Sequence, residues 1–189
     1  MRTPMKKGSF EYIKRRKMRQ GFLSLLMFCI AFGILVLGLF LNDFSKANLF
    51  TVLAVLAVLP ASKMLISFII LLPFHSVSKK DHEEVLATVS NGVEVLTDVV
   101  FTSPEKIMMV DFMAIDHHYV ICHTRRSEKL KSMEQYLRDG IARRQLNYKL
   151  EMYDDFERFK SRISKLHMEE VQKDKNYEET MEFLLSLMV

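Results

Sequence analysis

The sequence predicts a helical transmembrane hairpin followed by a small cytoplasmic α+β domain. Three observations support this fold class. Residues 21–41 contain no charged side chain, and a second apolar run covers residues 49–73. Residues 75–189 then mix apolar and charged positions at both helical and strand spacing. Residues 1–20 remain as a basic cytoplasmic arm.

The distribution of charge argues against nucleic-acid binding. The chain of 189 residues has a net charge of +4, but residues 1–20 hold eight basic side chains and one acid. Residues 75–189 hold 17 basic and 21 acidic side chains; besides Lys79-Lys80 at the end of the second span, basic residues are paired at Arg125-Arg126 and Arg143-Arg144. A nucleic-acid surface needs clustered basic residues, so the acidic domain does not fit one. Two cysteines are too few for a disulfide-rich secreted scaffold.

The first span covers residues 21–41. About 20 apolar residues in a helix cross the hydrocarbon core and satisfy their own backbone groups. The second span, residues 49–73, is long enough to cross with some tilt although it contains Pro60 and Lys63. The polar connection between the spans is short, which makes the pair a hairpin.

Basic residues set the predicted orientation. Eight of them precede the first span, Lys79 and Lys80 follow the second, and the connection has only Lys46. The positive-inside rule therefore places both termini in the cytoplasm of a multi-pass cell-membrane protein. A signal peptide cleaved after residues 45–47 is the alternative, but the apolar run is too long for one and a second span follows.

Lys63 is the unusual residue of the second span. It lies about ten residues, or roughly 15 Å, from the cytoplasmic end, further than a lysine stem comfortably reaches. A lysine at mid-membrane costs about 2.5–3.5 kcal/mol on insertion. Pro60 frees a carbonyl one turn earlier. Lys63 therefore marks either a conduction, ligand or subunit-contact site or a kinked helix in which carbonyls and water satisfy it.

The domain begins with a helix whose acidic first turn is residues 81–84, and it ends near the turn pair Asn91-Gly92. Three strands follow at residues 93–102, 106–115 and 119–124, since all three are rich in β-branched or alternating apolar residues. Short turns join them, which is typical of an antiparallel meander.

The second half of the domain returns to helical spacing. Leu130, Met133, Leu137 and Ile141 form one apolar stripe, and residues 148–152 form a short strand. Asp154 or Asp155 caps a further helix over residues 156–166. A terminal helix starts at about residue 177. The predicted order is α-β-β-β-α-β-α.

This order of elements over residues 81–166 resembles the core of restriction-endonuclease-like domains, including the nuclease-related domain found on some membrane proteins. In that family an acid on the second strand and a Glu-x-Lys pair on the third bind Mg²⁺. The resemblance implies this role for Asp111, or for Asp98 on the preceding strand, with His123 on the third strand. Ile121-Cys122-His123 stands where Glu-x-Lys is expected. The resemblance therefore implies an inactive relative.

A metal site at the second hairpin is the other chemical candidate. Asp116, His117, His118, Cys122 and His123 lie within eight residues. Imidazole and thiolate are suitable transition-metal ligands, but adjacent histidines on an extended chain point to opposite faces. We expect a polar hairpin tip, a buried reduced Cys122 and no cofactor.

The whole chain also resembles uncharacterised two-span bacterial membrane proteins, which implies a location and no activity. We expect a non-enzymatic protein whose hairpin anchors a cytoplasmic protein-interaction or regulatory domain in the lipid bilayer. Its partner would be a second copy or another membrane protein, and Lys63 would mark a contact between helices. A divergent membrane-tethered nuclease and an accessory subunit of a membrane transport complex are the alternatives.

Overall fold

The computed structural model describes residues 7–43, 48–90, 92–102, 107–166 and 175–188. The chain divides into two compact units. One unit is Ile13–His75, and the other combines the described residues before Ile13 with those from Ser76 onward. The alternative signal-peptide cleavage site at residues 45–47 and the turn between the first two predicted strands, residues 103–105, lie outside the described residues.

Two long helices form the first unit. Helix α1 is Tyr12–Leu41 and helix α2 is Leu49–Leu71. The basic residues of the arm from Lys14 to Arg19 therefore continue the first apolar span as one helix. Asn48 caps α2, because its Oδ1 accepts from the backbone N–H of Thr51 at 2.8 Å.

The two helices pack antiparallel along a seam of small residues. Ser24, Ala31 and Gly38 recur every seven residues on α1, and Ala54 and Ala61 have the same spacing on α2; all five are buried. Small side chains let the backbones of two helices approach closely. The Ser24 hydroxyl accordingly donates to the Ala61 carbonyl at 3.3 Å. This seam is the inner surface of the hairpin.

The second unit is a mixed α+β fold, and the predicted order of its first seven elements is observed. Its described elements are α3 (Lys79–Thr88), β1 (Glu94–Thr102), β2 (Ile107–Ile115), β3 (Tyr119–His123), a 3₁₀ turn (Ser127–Lys129), α4 (Leu130–Arg143), β4 (Lys149–Tyr153), α5 (Phe156–Ile163) and α6 (Lys175–Leu187). Within the described residues the strands form one sheet in the order β1-β2-β3-β4. The first two pairs are antiparallel, whereas β3 and β4 are parallel because α4 crosses between them.

Each face of the sheet has its own hydrophobic core. Helices α4 and α6 cover the first face, where Met133, Leu137 and Ile141 of the predicted stripe are buried with Leu184. Helices α3 and α5 cover the second face. There the buried apolar residues are Val77, Val85, Phe112, Ala114, Ile121, Phe159, Ile163 and Leu166.

The start of the described chain belongs to the α+β unit. The Gly8 carbonyl accepts from the Thr97 N–H of β1 at 2.8 Å. Gly8 has a φ of 77°, and a Cβ there would lie 2.7 Å from Cδ2 of Leu96, so glycine is needed at this point. The Lys7 ammonium donates to the carbonyls of Leu185 (3.2 Å) and Met188 (2.7 Å) at the end of α6. Lys7 thus has a structural role that the sequence did not reveal.

Candidate functional site

Two buried aspartates lie at the centre of the sheet, where β1 and β2 both break their alternation. Thr97 pairs with Phe112 and Val99 with Val110, which places Asp98 opposite Asp111 in register. Leu96 and Val99 both pack into the first core although they are three residues apart. Val110 and Met113 do the same on β2. In a regular strand successive side chains point to opposite faces of the sheet, so residues three apart do not share a face. The alternation of each strand is therefore interrupted at its aspartate.

Asp98 holds the segment that leads into α3. Its φ is 56°, a left-handed conformation that is rare for a residue other than glycine, and its side chain is fully buried. The Oδ1 atom accepts from the Val77 N–H at 2.9 Å. Because a buried N–H without an acceptor is costly, this bond fixes the segment before α3 on the sheet.

His82 of α3 lies close to this aspartate. Its ring stacks on Phe10, with the ring centroids 4.5 Å apart and the planes 19° from parallel. Burial lowers the pKa of His82, and the negative charges of Asp98 and Glu83 partly oppose that shift. His82 therefore favours the neutral imidazole and contributes as an aromatic packing residue.

Asp111 fixes the loop that follows β3. Its Oδ2 accepts from the Arg125 N–H at 2.7 Å, and its Oδ1 lies 3.5 Å from Nε of the same arginine. The neighbouring Thr124 is fully buried and its hydroxyl donates to the Met109 carbonyl at 3.0 Å. Asp111 thus resembles Asp98 in role, since each carboxylate accepts a backbone N–H from another segment.

His123 lies on the second face of the sheet, among aromatic rings. The ring centroids of Phe156 and Phe159 are 5.3 and 5.5 Å from its own. Burial lowers its pKa more than the charge of Asp111 raises it. Its Nδ1 has no hydrogen-bond partner among the described residues.

The hairpin tip separates the candidate metal ligands. Asp116 forms the turn, because its Oδ1 accepts from the N–H groups of His118 (2.7 Å) and Tyr119 (2.6 Å). His118 is exposed, while the ring of His117 lies edge-on to Tyr177 of α6. Cys122 is a free, buried thiol in the first core, and burial raises its pKa.

The chemistry of this region is therefore a buried polar cluster that anchors loops. In the part of the chain that the structure describes, no group of three or more His, Cys, Asp or Glu side chains could hold a metal ion. The structure brings Asp98, Asp111 and His123 onto neighbouring strands, and it leaves His117 and His118 apart from His123. Both carboxylates already accept backbone N–H groups.

An open groove of about 580 Å³ forms a second feature of this unit. It lies along α6 and is lined by Lys7, Glu94, Tyr177, Glu178, Met181, Glu182, Leu185 and Ser186. The Tyr177 hydroxyl donates to Glu94 at 3.1 Å, and burial together with the charge of Glu94 raises the pKa of Tyr177. The groove is acidic apart from Lys7, which is bound to the end of α6.

Lys63 and Pro60 mark the candidate polar or contact site of the apolar helices. Both are exposed on the hairpin unit. Ser67 donates to the Lys63 carbonyl at 3.1 Å and Ser62 to the Val58 carbonyl at 2.9 Å, so these hydroxyls bond their own helix. Among the described residues the Lys63 ammonium makes no hydrogen bond or ion pair.

Lys17 is a residue whose role the sequence did not predict. Its ammonium donates to the carbonyls of Leu72 (3.0 Å) and Phe74 (2.9 Å) just beyond α2. A cation at a helix C-terminus is favourable because the final carbonyls are unpaired there. The contact between α1 and α2 places Lys17 beside the end of α2. The small residues at seven-residue spacing, Ser24, Ala31 and Gly38, were the feature of the sequence that could have predicted this contact.

Searches of protein-family models, of curated proteins and of solved structures find no match to this chain.

Proposed function

We propose that this protein is a two-span membrane anchor for a small α+β domain that binds another protein or a second copy of itself. One observation supports the membrane part above all. The most apolar stretch of 18 residues in α1 has a mean hydropathy of 2.7, and the corresponding stretch in α2 has a mean hydropathy of 2.2. Only 17% and 11% of these two stretches, respectively, is buried. A core helix of a soluble protein would bury most of such a stretch, because exposed apolar surface of this size is unfavourable in water.

The exposed apolar residues surround the hairpin. Phe22, Phe32 and Phe40 on α1 are each about two-thirds exposed, at 65%, 67% and 68%. Leu49 and Val55 on α2 are exposed at 71% and 62%. The seam of small residues faces inward and the large apolar side chains face outward. This arrangement suits a lipid solvent, where helix contacts depend on close packing.

Membrane fractionation tests the anchor. We expect the full-length protein to stay in the membrane pellet through an alkaline carbonate wash and to be released by detergent. Release by carbonate, or recovery in the soluble fraction, would contradict the proposal. A C-terminal reporter that is active only in the cytoplasm then checks the orientation expected from the basic residues.

The interaction role follows from the α+β unit. Its buried polar groups hold backbone segments, and its open groove displays Glu178 and Glu182 on the exposed side of α6. Charged side chains around a groove supply a polar rim, as partner-binding surfaces commonly have. The mass of the detergent-solubilised protein, measured by light scattering, tests self-association. A monomer that also recovers no specific partner from its native membrane would count against the role.

A divergent membrane-tethered nuclease is the second candidate. The opposite positions of Asp98 and Asp111 on β1 and β2 favour it, since carboxylate oxygens are the ligands that Mg²⁺ prefers. It requires Mg²⁺-dependent cleavage of DNA by the wild-type protein. The substitution Asp111→Asn should abolish cleavage while keeping an acceptor for Arg125. Wild-type protein without any cleavage activity would eliminate this candidate.

A further inference from the structure

The depth of Lys63 in the hairpin can be determined from α1, on the premise of the membrane anchor proposed above. On α1 the last charged residue is Arg19, and the apolar run begins at Gly21. The boundary of the hydrocarbon core therefore lies near Gly21 at this end of the hairpin.

Contacts across the seam show which residues of α2 lie at the same level as this boundary on α1. A Cβ on Gly21 would lie 3.1 Å from the ring of Phe68, and the Ser24 hydroxyl bonds to Ala61. Lys63 lies between these two contacts. It is two residues from Ala61, about 3 Å along the axis, and so is level with residues 22–23 of α1. The bonds from Lys17 to the Leu72 and Phe74 carbonyls agree, since they place the end of α2 beside the basic turns of α1.

Lys63 is therefore much shallower than its place in the span suggests. The offset from Arg19 is three to four residues, or about 5 Å, which a lysine stem covers. The last two turns of α2 lie beside charged turns of α1, outside the hydrocarbon core. Counting residues from Lys63 to the end of the apolar run therefore overestimates the depth of Lys63 in the membrane.

The side chain also points away from α1. Ala54 and Ala61 lie on the seam, and Lys63 follows Ala61 by two residues, or about 200° around the helix. Lys63 is exposed and its ammonium makes no bond within the described residues. Residues 21–41 and 49–73 contain no Asp or Glu, so the spans of a second copy offer no carboxylate at this depth.

We propose that Lys63 binds the phosphate of an anionic phospholipid in the leaflet that contains Lys17. A lipid phosphate lies at the level that the Lys63 ammonium reaches, and its negative charge complements the lysine. Lys63 is then a lipid contact on the outer face of the hairpin and not a polar site in the middle of the membrane.

The first experiment measures depth with single cysteines in a Cys29→Ala background. Cys122 is buried and stays unlabelled. Lys63→Cys is compared with Leu56→Cys and Ile70→Cys, which lie one heptad to either side on the same helix face. A fluorophore on each cysteine is quenched by lipids that carry a spin label at a shallow or a deep position.

We expect residue 63 to be quenched mainly by the shallow label, as residue 70 is, and residue 56 by the deep label. Deep quenching at residue 63 would overturn the inference while leaving the anchor intact. Quenching by neither label at residue 56 would refute the membrane anchor itself. The two failures are therefore distinguishable.

The second experiment measures lipid preference. The full-length protein is placed in nanodiscs of equal parts phosphatidylcholine and phosphatidylglycerol, and retained lipids are counted by native mass spectrometry. Lys63→Gln should lower retention of phosphatidylglycerol about fivefold, the effect of one cation near a lipid surface. The Lys63→Arg variant, which keeps the positive charge, should retain as much phosphatidylglycerol as the wild type. The control is Lys79→Gln, an exposed lysine of the other unit. Equal retention by wild type and Lys63→Gln would overturn the proposal.

Discussion

Asp98 gives the sharpest test of how the buried polar cluster works. It combines a left-handed backbone, a fully buried carboxylate and a bond to the Val77 N–H. Three substitutions separate these features. Asp98→Asn keeps an acceptor oxygen and tolerates the backbone, Asp98→Gly keeps only the backbone freedom, and Asp98→Ala loses both.

The expected costs follow from the local geometry. Loss of the acceptor leaves a buried N–H unsatisfied, at about 1–3 kcal/mol. A Cβ without a polar side chain at positive φ adds about 1 kcal/mol. The alanine variant should therefore lose about 2–4 kcal/mol of unfolding free energy, and the glycine variant about 1 kcal/mol less than alanine. The asparagine variant should stay within about 1 kcal/mol of the wild type.

The thiol of Cys122 provides the assay. It is fully buried on β3, so a disulfide reagent reaches it only when the sheet opens. The full-length protein in detergent micelles, with Cys29→Ala in every variant, is labelled under conditions where reclosing is fast. Each 1.4 kcal/mol then speeds labelling about tenfold, so the alanine variant should react on the order of 30- to 1,000-fold faster.

Asp139→Ala is the matched control, because Asp139 is an exposed aspartate on α4 and surface changes rarely exceed about 0.5 kcal/mol. Labelling of Asp98→Ala at the wild-type rate would refute the structural role of the carboxylate. A glycine variant no slower to react than alanine would refute the role of the left-handed backbone.

Two further predictions use the same assay. Glycine to alanine normally stabilises a helix by about 1 kcal/mol, but a Cβ on Gly140 would lie 2.6 Å from Cζ of the buried Phe183. Gly140→Ala should therefore destabilise the α+β unit by about 1–3 kcal/mol, and labelling of Cys122 at or below the wild-type rate would contradict this close contact. Arg162 donates to Glu151 at 2.7 and 2.9 Å and thereby lowers the pKa of that carboxyl. This stabilisation is present above the unfolded pKa of Glu151 and is lost as pH falls through the lower folded value. Arg162→Met should cost roughly 1 kcal/mol at pH 7 and progressively less below about pH 4; a cost that is constant with pH would contradict the ion pair.

Local patterns predicted the elements of the α+β unit well. The apolar stripe on α4 is buried at Met133, Leu137 and Ile141, because one face of a helix repeats at this spacing. Asp155 is the helix cap, one of the two residues predicted, and its side chain accepts from the Arg158 N–H at 2.9 Å. Such signals depend on residues within one or two turns, so the sequence contains them directly.

The candidate site was only partly predictable. Two aspartates inside apolar strands marked Asp98 and Asp111 as unusual, but their acceptor roles depend on Val77 and Arg125, which are 21 and 14 residues away in the sequence. Leu96 and Val99 are apolar residues three apart, and so are Val110 and Met113. This spacing was a signal that the alternation of each strand is interrupted. Only the pairing of β1 with β2 showed that both interruptions occur at the same level.

The sequence by itself determined the two apolar helices, the order of the following elements and the position of the excess positive charge. These properties depend on local composition and periodicity, which any fold must respect. The tertiary structure decided what the lysines do. Lys7 and Lys17 bind helix ends far along the chain, and the seam of small residues aligns Lys63 with the start of the first apolar run. Such roles depend on which residues of separate helices become neighbours, and a one-dimensional pattern does not contain that information.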